Sequence, residues 1–133
     1  MKSARELVDE ALAQVVTLAS AQAIALRGQP GVVFVDLRES GELRREGRIP
    51  GAVHAPRGML EFWVDPASPY FRLELAPDHQ LVLFCALGWR SALAAKALQD
   101  MGRDKVCHLG GGFEAWRASG AALELPKSDR LLE

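Results

Sequence analysis

The sequence predicts an α/β fold, an open and mostly parallel sheet with helices on both faces. Three observations lead there. Short apolar runs punctuate the chain: "VVFVD" (Val32 to Asp36), "QLVLFC" (Gln80 to Cys85) and "KVCHL" (Lys105 to Leu109). Stretches with apolar residues at helical spacing fall between them. No internal repeat or linker interrupts the alternation.

The elements follow in order. Ala4, Leu7, Val8, Ala11, Val15 and Leu18 recur at helical spacing, so a helix is read over residues 4–18. Ser20 suits the cap of a second short helix through Leu26, which Gly28, Pro30 and Gly31 end. "VVFVD" is β-branched and reads as a buried strand. "ESGELRREG" is a short charged helix, "IPGA" a turn and "AVHA" a second short strand. "RGMLEFWVDP" reads as a helix that stops near Asp65, ahead of Pro66. "QLVLFC" is the most apolar strand. Ser91 to Met101 is a helix with Leu93, Ala94, Ala97 and Leu98 inward. "KVCHL" is the last strand, Gly110 to Gly112 a turn, and "FEAWRAS" the last helix.

The chain of 133 residues is read as a single domain, with its core over residues 20–120 and a loose tail over residues 121–133. Hydrophobic residues are 49% and charged residues 25%, as in a soluble globular protein. A formal net charge of -1 gives no reason to expect nucleic acid or an anionic membrane as partner. Lys2 and Arg5 precede an Ala-rich stretch, but Glu6, Asp9 and Glu10 interrupt it, unlike a signal peptide. No run is long enough to span a membrane. Two cysteines are too few for a disulfide scaffold and lack zinc-ligand spacing. A reducing compartment, the cytoplasm, is the simpler expectation.

In such sheets ligands bind beyond the carboxyl ends of the strands. Cys85 falls there. The loop is read as Cys85, Ala86, Leu87, Gly88, Trp89 and Arg90, with Ser91 opening the next helix. Free N–H groups and the macrodipole at a helix N-terminus stabilise a thiolate, and such cysteines titrate below the usual value of about 8.5. Arg90 adds positive charge. Gly88 lets the amides converge into an anion nest. The competing reading of Cys85 is a buried structural thiol. It weighs less, because Gly and Arg occupy the loop.

"CALGWRS" resembles the active-site loop of rhodanese (sulfurtransferase) domains: Cys, a few residues with Gly and Arg, then Ser or Thr entering a helix. "VDLRESGELRREGRIPGA" is similar to the family's first motif, with Arg48 where the family usually has His. "LGGGFEAW" resembles its closing motif. The three motifs stand in the family's order between Val32 and about Gly120. The resemblance implies a five-stranded rhodanese-like sheet and a two-step covalent cycle. Cys85 takes sulfur from a small donor such as thiosulfate as a persulfide, and a thiol or cyanide acceptor removes it. A protein sulfur acceptor is a further partner to consider. No metal or cofactor is implied.

Around Cys85, the amides from Ala86 to Arg90 are expected to hold the anionic sulfur, and Arg90 to orient the donor. Trp89 either shields the pocket mouth or packs on the loop. Arg57, just past the second strand, either meets the donor's anionic end or is an exposed helix-start residue. Asp36 is expected to fix the turn after its strand by hydrogen bonds. Cys107 and His108 are strand neighbours that face opposite ways, so they share no metal, and Cys107 reads as core. His54 and His79 lack ligand-spaced partners. Arg38, Arg44, Arg45 and Arg48 interleave with Glu39, Glu42 and Glu46 and read as a solvated helix. Phe62 and Trp63 read as core or pocket wall.

Two other functions compete. Cys-dependent phosphatases of similar fold have five residues between Cys and Arg; here four separate Cys85 from Arg90. The domain could instead carry persulfide sulfur, or dock a partner, without turnover of its own.

Overall fold

Why this chain folds as it does is clearest from its strands. In the computed structural model, which describes residues 1–126, five strands form one parallel sheet in the order β1-β5-β4-β2-β3. They are β1 (Thr17–Leu18), β2 (Val32–Asp36), β3 (Val53–His54), β4 (Gln80–Phe84) and β5 (Val106–Leu109). Side chains alternate along each strand. Val35, Leu81, Leu83 and Val106 therefore pack on one face with Leu60 and Val64 of α4 (Leu60–Val64) and Ala94, Ala95 and Leu98 of α5 (Trp89–Asp100). Phe34, Val82, Phe84, Cys107 and Leu109 pack on the other, with Ala23 of α2 (Ser20–Leu26) and Phe113 and Trp116 of α6 (Gly112–Ala118). Parallel strands buried on both faces read as continuous apolar runs, which is why β2 and β4 were plain in the sequence.

The N-terminal region corrects the sequence reading. Helix α1 (Ala4–Leu12) starts at a capping box between Ser3 and Glu6 but stops well before Leu18. The β-branched run Val15-Val16-Thr17 favours extended backbone. There the chain becomes edge strand β1, with His108 N donating to Val16 O at 3.0 Å and Gly110 N to Leu18 O at 2.9 Å. Ser20 lies inside α2 rather than capping it, and Ala19 holds the cap position.

The charged helix α3 (Ser40–Glu46) forms as expected, but Arg38 just before it is not solvated. Arg38 is 1% exposed and its guanidinium meets Asp36 through both carboxylate oxygens, at 2.8 and 3.0 Å. It also donates to Gly47 O at 2.9 Å and lies over the Phe113 ring. Asp36 also accepts from Arg38 N, so the carboxylate fixes the turn after β2. Truncating Arg38 would strand a buried carboxylate, a loss of about 3–5 kcal/mol.

The chain after α6 is tied down as far as it is described. Arg48 and Glu124 exchange backbone hydrogen bonds of 3.0 and 2.9 Å as an antiparallel bridge. Trp116 Nε1 donates to Ala122 O at 2.9 Å, and Leu123 packs on the core. The rest of the expected loose tail, residues 127–133, lies outside the described residues. Among the described residues no helix is long and apolar enough to cross a membrane.

Candidate active site

Strand β4 carries Cys85 to the carboxyl end of the sheet. The next helix begins earlier than the sequence suggested: α5 starts at Trp89, so Trp89 and Arg90 belong to its first turn, and the loop is Cys85 to Gly88. Gly88 sits at the N-cap with φ of 109°, a left-handed conformation that side-chain-bearing residues avoid. That geometry turns Gly88 N toward the sulfur, donating to Cys85 Sγ at 3.2 Å. Ser91 Oγ lies 3.7 Å from the same sulfur.

The loop is held from behind by α6. Phe113 N donates to Cys85 O at 2.8 Å and Glu114 N to Ala86 O at 3.1 Å. With those carbonyls bound to the α6 N-terminus, the loop is held with Gly88 N toward the thiol, the one loop amide among the described residues within hydrogen-bond distance of the sulfur. Gly112 makes this approach possible. Its φ is 60°, and a Cβ there would lie 2.5 Å from Cys85 O. The glycine turn noted in the sequence thus has a second role, which required knowing that α6 and the Cys85 loop meet.

The sulfur lies at the floor of an open cleft of about 280 Å³ lined by Cys85, Ala86, Leu87, Trp89 and Arg90. Cys85 is only 1% exposed, whereas Leu87 and Trp89 stand 69% and 50% exposed at the mouth. Arg90 is bound bidentately by Glu42 of α3, both contacts at 2.9 Å. The Arg90 hydrogen bond holds the Glu42 carboxyl down to about 2. Glu42 in turn raises the Arg90 pKa, with a smaller contribution from Cys85. Glu42 was not foreseen, because its place beside the loop follows from strand order rather than sequence spacing.

The other expected residues separate. Arg57 forms an i,i+4 pair with Glu61 at 2.8 Å and does not line the cleft. Phe62 is exposed, edge-on to Tyr70, while Trp63 packs on the core. His54 Nε2 meets Arg38 O and His79 Nδ1 meets Glu74 O. Cys107 is buried among apolar residues, and burial pushes its thiol up to about 11. His108 faces away from Cys107, toward Ser91 and Thr17. Among the described residues no three His, Cys, Asp or Glu side chains gather as a metal site.

Residues 19–119 match the model of the rhodanese-like domain family. The chain belongs to that family. A thiosulfate sulfurtransferase GlpE of Stutzerimonas stutzeri is 35% identical over 96 residues, 72% of this chain and 79% of the relative. A sulfurtransferase of Allochromatium vinosum is 30% identical over 96 residues, 72% of this chain and 81% of the relative. Among solved structures, a Rhodopseudomonas palustris protein of unknown function, described as a possible tyrosine phosphatase, superposes with a TM-score of 0.89. It is 48% identical, over 93% of this chain and 96% of that one. A rhodanese-related protein from Thermoplasma volcanium has a TM-score of 0.66 at 23% identity over 83% of this chain and 98% of that one, and shows the shared fold. At family level the rhodanese-like fold and these relatives support sulfur transfer as the chemistry of the domain.

Proposed function

We propose that the protein is a sulfurtransferase whose Cys85 carries sulfane sulfur as a persulfide. The observation that carries this reading is the Gly88 N–H donated to Cys85 Sγ at 3.2 Å, at the floor of an open cleft. In the first half-reaction the Cys85 thiolate attacks the outer sulfur of thiosulfate. The S–S bond of the donor breaks, sulfite leaves with the electron pair, and Cys85 keeps the sulfur as a persulfide anion. In the second, cyanide or a thiolate attacks that outer sulfur and the Cys85 thiolate leaves. A backbone amide already aimed at the sulfur suits a negative charge that persists through both steps. The amides of Ala86 to Arg90 and the Arg90 guanidinium are the groups we assign to this charge. Arg57, paired with Glu61, is left a supporting place outside the cleft.

The exposed Leu87 and Trp89 at the mouth suit an acceptor larger than cyanide, such as a protein thiol. The two free cysteines fit a reducing compartment, and we assign the protein to the cytoplasm. The described likeness to a possible tyrosine phosphatase raises a second reading. Against it, four residues separate Cys85 from Arg90, and that arginine is held by Glu42. Intact mass spectrometry distinguishes the readings. Reduced protein treated with thiosulfate should gain the mass of one sulfur atom and lose it to cyanide, with no turnover of an aryl phosphate. Hydrolysis of the phosphate through Cys85, or no sulfur gain with any donor, would overturn the proposal.

A further inference from the structure

Behind the thiol runs a chain of polar side chains that the sulfur-transfer steps do not use. Ser91 Oγ lies 3.7 Å from Cys85 Sγ and 2.9 Å from His108 Nδ1. His108 Nε2 lies 2.8 Å from Thr17 Oγ1. Ser91 and His108 are fully enclosed, at 0% and 1% exposure, while Thr17 on edge strand β1 is exposed. Three elements supply the chain: α5, β5 and β1. It links a sulfur inside the cleft to water at the far edge of the sheet.

We propose that Ser91, His108 and Thr17 form a hydrogen-bond wire that carries the Cys85 proton to solvent and aims the Ser91 hydroxyl at the sulfur. The proposal deepens the sulfur-transfer reading and rests on Cys85 being its nucleophile.

The proton steps balance. In the thiol state Cys85 S–H donates to Ser91 Oγ, Ser91 O–H to His108 Nδ1, and His108 Nε2–H to Thr17 Oγ1. On ionisation the Cys85 S–H bond breaks and its proton passes to Ser91 Oγ. The Ser91 proton passes to Nδ1, the Nε2 proton to Thr17, and the Thr17 hydroxyl proton to water. One proton leaves, and the imidazole exchanges one tautomer for the other without ever carrying charge. Each donor then points toward the thiolate: Thr17 to Nε2, Nδ1–H to Ser91, Ser91 O–H to sulfur. Such chains polarise one another in one direction.

The surroundings keep the imidazole neutral, as the wire needs. Burial alone lowers the His108 pKa, with no charged group contributing. Among the described residues the side chains that hydrogen-bond His108 are Ser91 of α5 and Thr17 of β1, both uncharged. The charged groups facing the thiol are Arg90 and, behind it, Glu42 of α3. Neither contacts His108. Ser91 Oγ also reaches Gly88 O at 3.3 Å, so the serine has an alternative acceptor that would draw its proton off the sulfur. In this wire His108 is a positioning residue: its Nδ1–H occupies the serine oxygen and directs the serine proton onward.

The test uses the full chain carrying Cys107→Ser, which leaves one thiol. The rate of Cys85 alkylation by iodoacetamide is measured across pH, beside circular dichroism. His108→Phe removes both hydrogen bonds of the ring, and the rate at neutral pH should fall about tenfold, its rise moving to higher pH. Thr17→Val cuts the wire at its exposed end, three groups from the sulfur, and should slow alkylation about threefold through lost polarisation. Thr17→Ser keeps a hydroxyl and should retain the profile. A merely structural role for His108 predicts that a folded Thr17→Val protein alkylates at the parental rate and pH, and that result overturns the wire even if His108→Phe does not fold. Alkylation needs no sulfur donor. A protein that shows these shifts yet never gains sulfur would sink the sulfurtransferase reading and leave the wire standing.

Discussion

The two cysteines sit on or just past neighbouring parallel strands, and both are almost fully enclosed, at 1% and 4% exposure. Their surroundings nevertheless oppose one another. Cys107 is mid-strand, where neighbouring backbone amides serve the sheet and are not free to face its sulfur. Its thiol donates to Leu81 O at 3.5 Å, and among the described residues the one donor that approaches it is the Gln80 side-chain amide, at 3.6 Å. Burial without donors for an anion keeps it a thiol. Cys85 lies one residue beyond a strand end, where the pairing stops and amide donors turn free. Burial therefore does not decide what a cysteine does. What separates the two thiols is a backbone N–H: Gly88 N reaches Cys85 Sγ just beyond the carboxyl edge of the sheet, and among the described residues none reaches Cys107 Sγ.

That contrast can be broken most sharply by removing each sulfur in turn. Cys85→Ser should abolish thiosulfate:cyanide transfer with the fold intact, since a serine hydroxyl is a poor sulfur nucleophile. Cys107→Ser should retain most of the rate; steady-state assays beside circular dichroism check both. Next comes the support behind the loop. Gly112→Ala sets a Cβ 2.5 Å from Cys85 O at a φ of 60°. It should remove about 1–3 kcal/mol of stability in a urea melt and most of the transfer activity. Arg90→Ala should reduce kcat/KM for thiosulfate by about tenfold to a hundredfold, the worth of a charge-assisted contact. An unchanged value would reduce Arg90 to a structural partner of Glu42.

The smallest expected effect concerns that ion pair. Glu42 titrates at about 2 in the folded protein against 4.5 in a free carboxyl. A depressed carboxyl stabilises the fold fully above its unfolded value, and the contribution fades as pH falls from about 4.5 toward 2. Arg90 is 38% exposed, so solvent screening limits the pair to less than about 1 kcal/mol. Glu42→Gln should therefore flatten the acid limb of a stability profile slightly and leave neutral stability nearly unchanged.

Much of the comparison was legible in the sequence, for a physical reason. The interiors of strands β2 and β4 are apolar on both faces, β5 is apolar apart from His108, and Cys85 follows the most apolar of them. The loop's chemistry could be read locally, because Gly88 and Arg90 lie within a few residues of the thiol. Partners that arrive across the sheet could not. Glu42 reaches Arg90 across 48 positions, and Thr17 reaches His108 across 91. Thr17 was hidden further, since Val15 and Leu18 continue the apolar spacing of α1 and masked the two-residue strand. Arg38 was misread because interleaved charges suggest a wet surface. Only the fold reveals that Asp36 draws this one arginine inward.

Strand β1 also sets the order in which the molecule can be finished. It is made near the start of the chain yet pairs with β5, as Thr17 with His108 and Leu18 with Leu109. A ribosome must therefore deliver nearly the whole domain before its first strand has anything to pair with. Until then the chain leading into β1 waits without its sheet, and closing so long a loop is the slow kind of step that raises contact order and retards folding. The central strands can assemble without β1. Completion of the far edge, and with it the placement of Thr17, is left until β5 has been made.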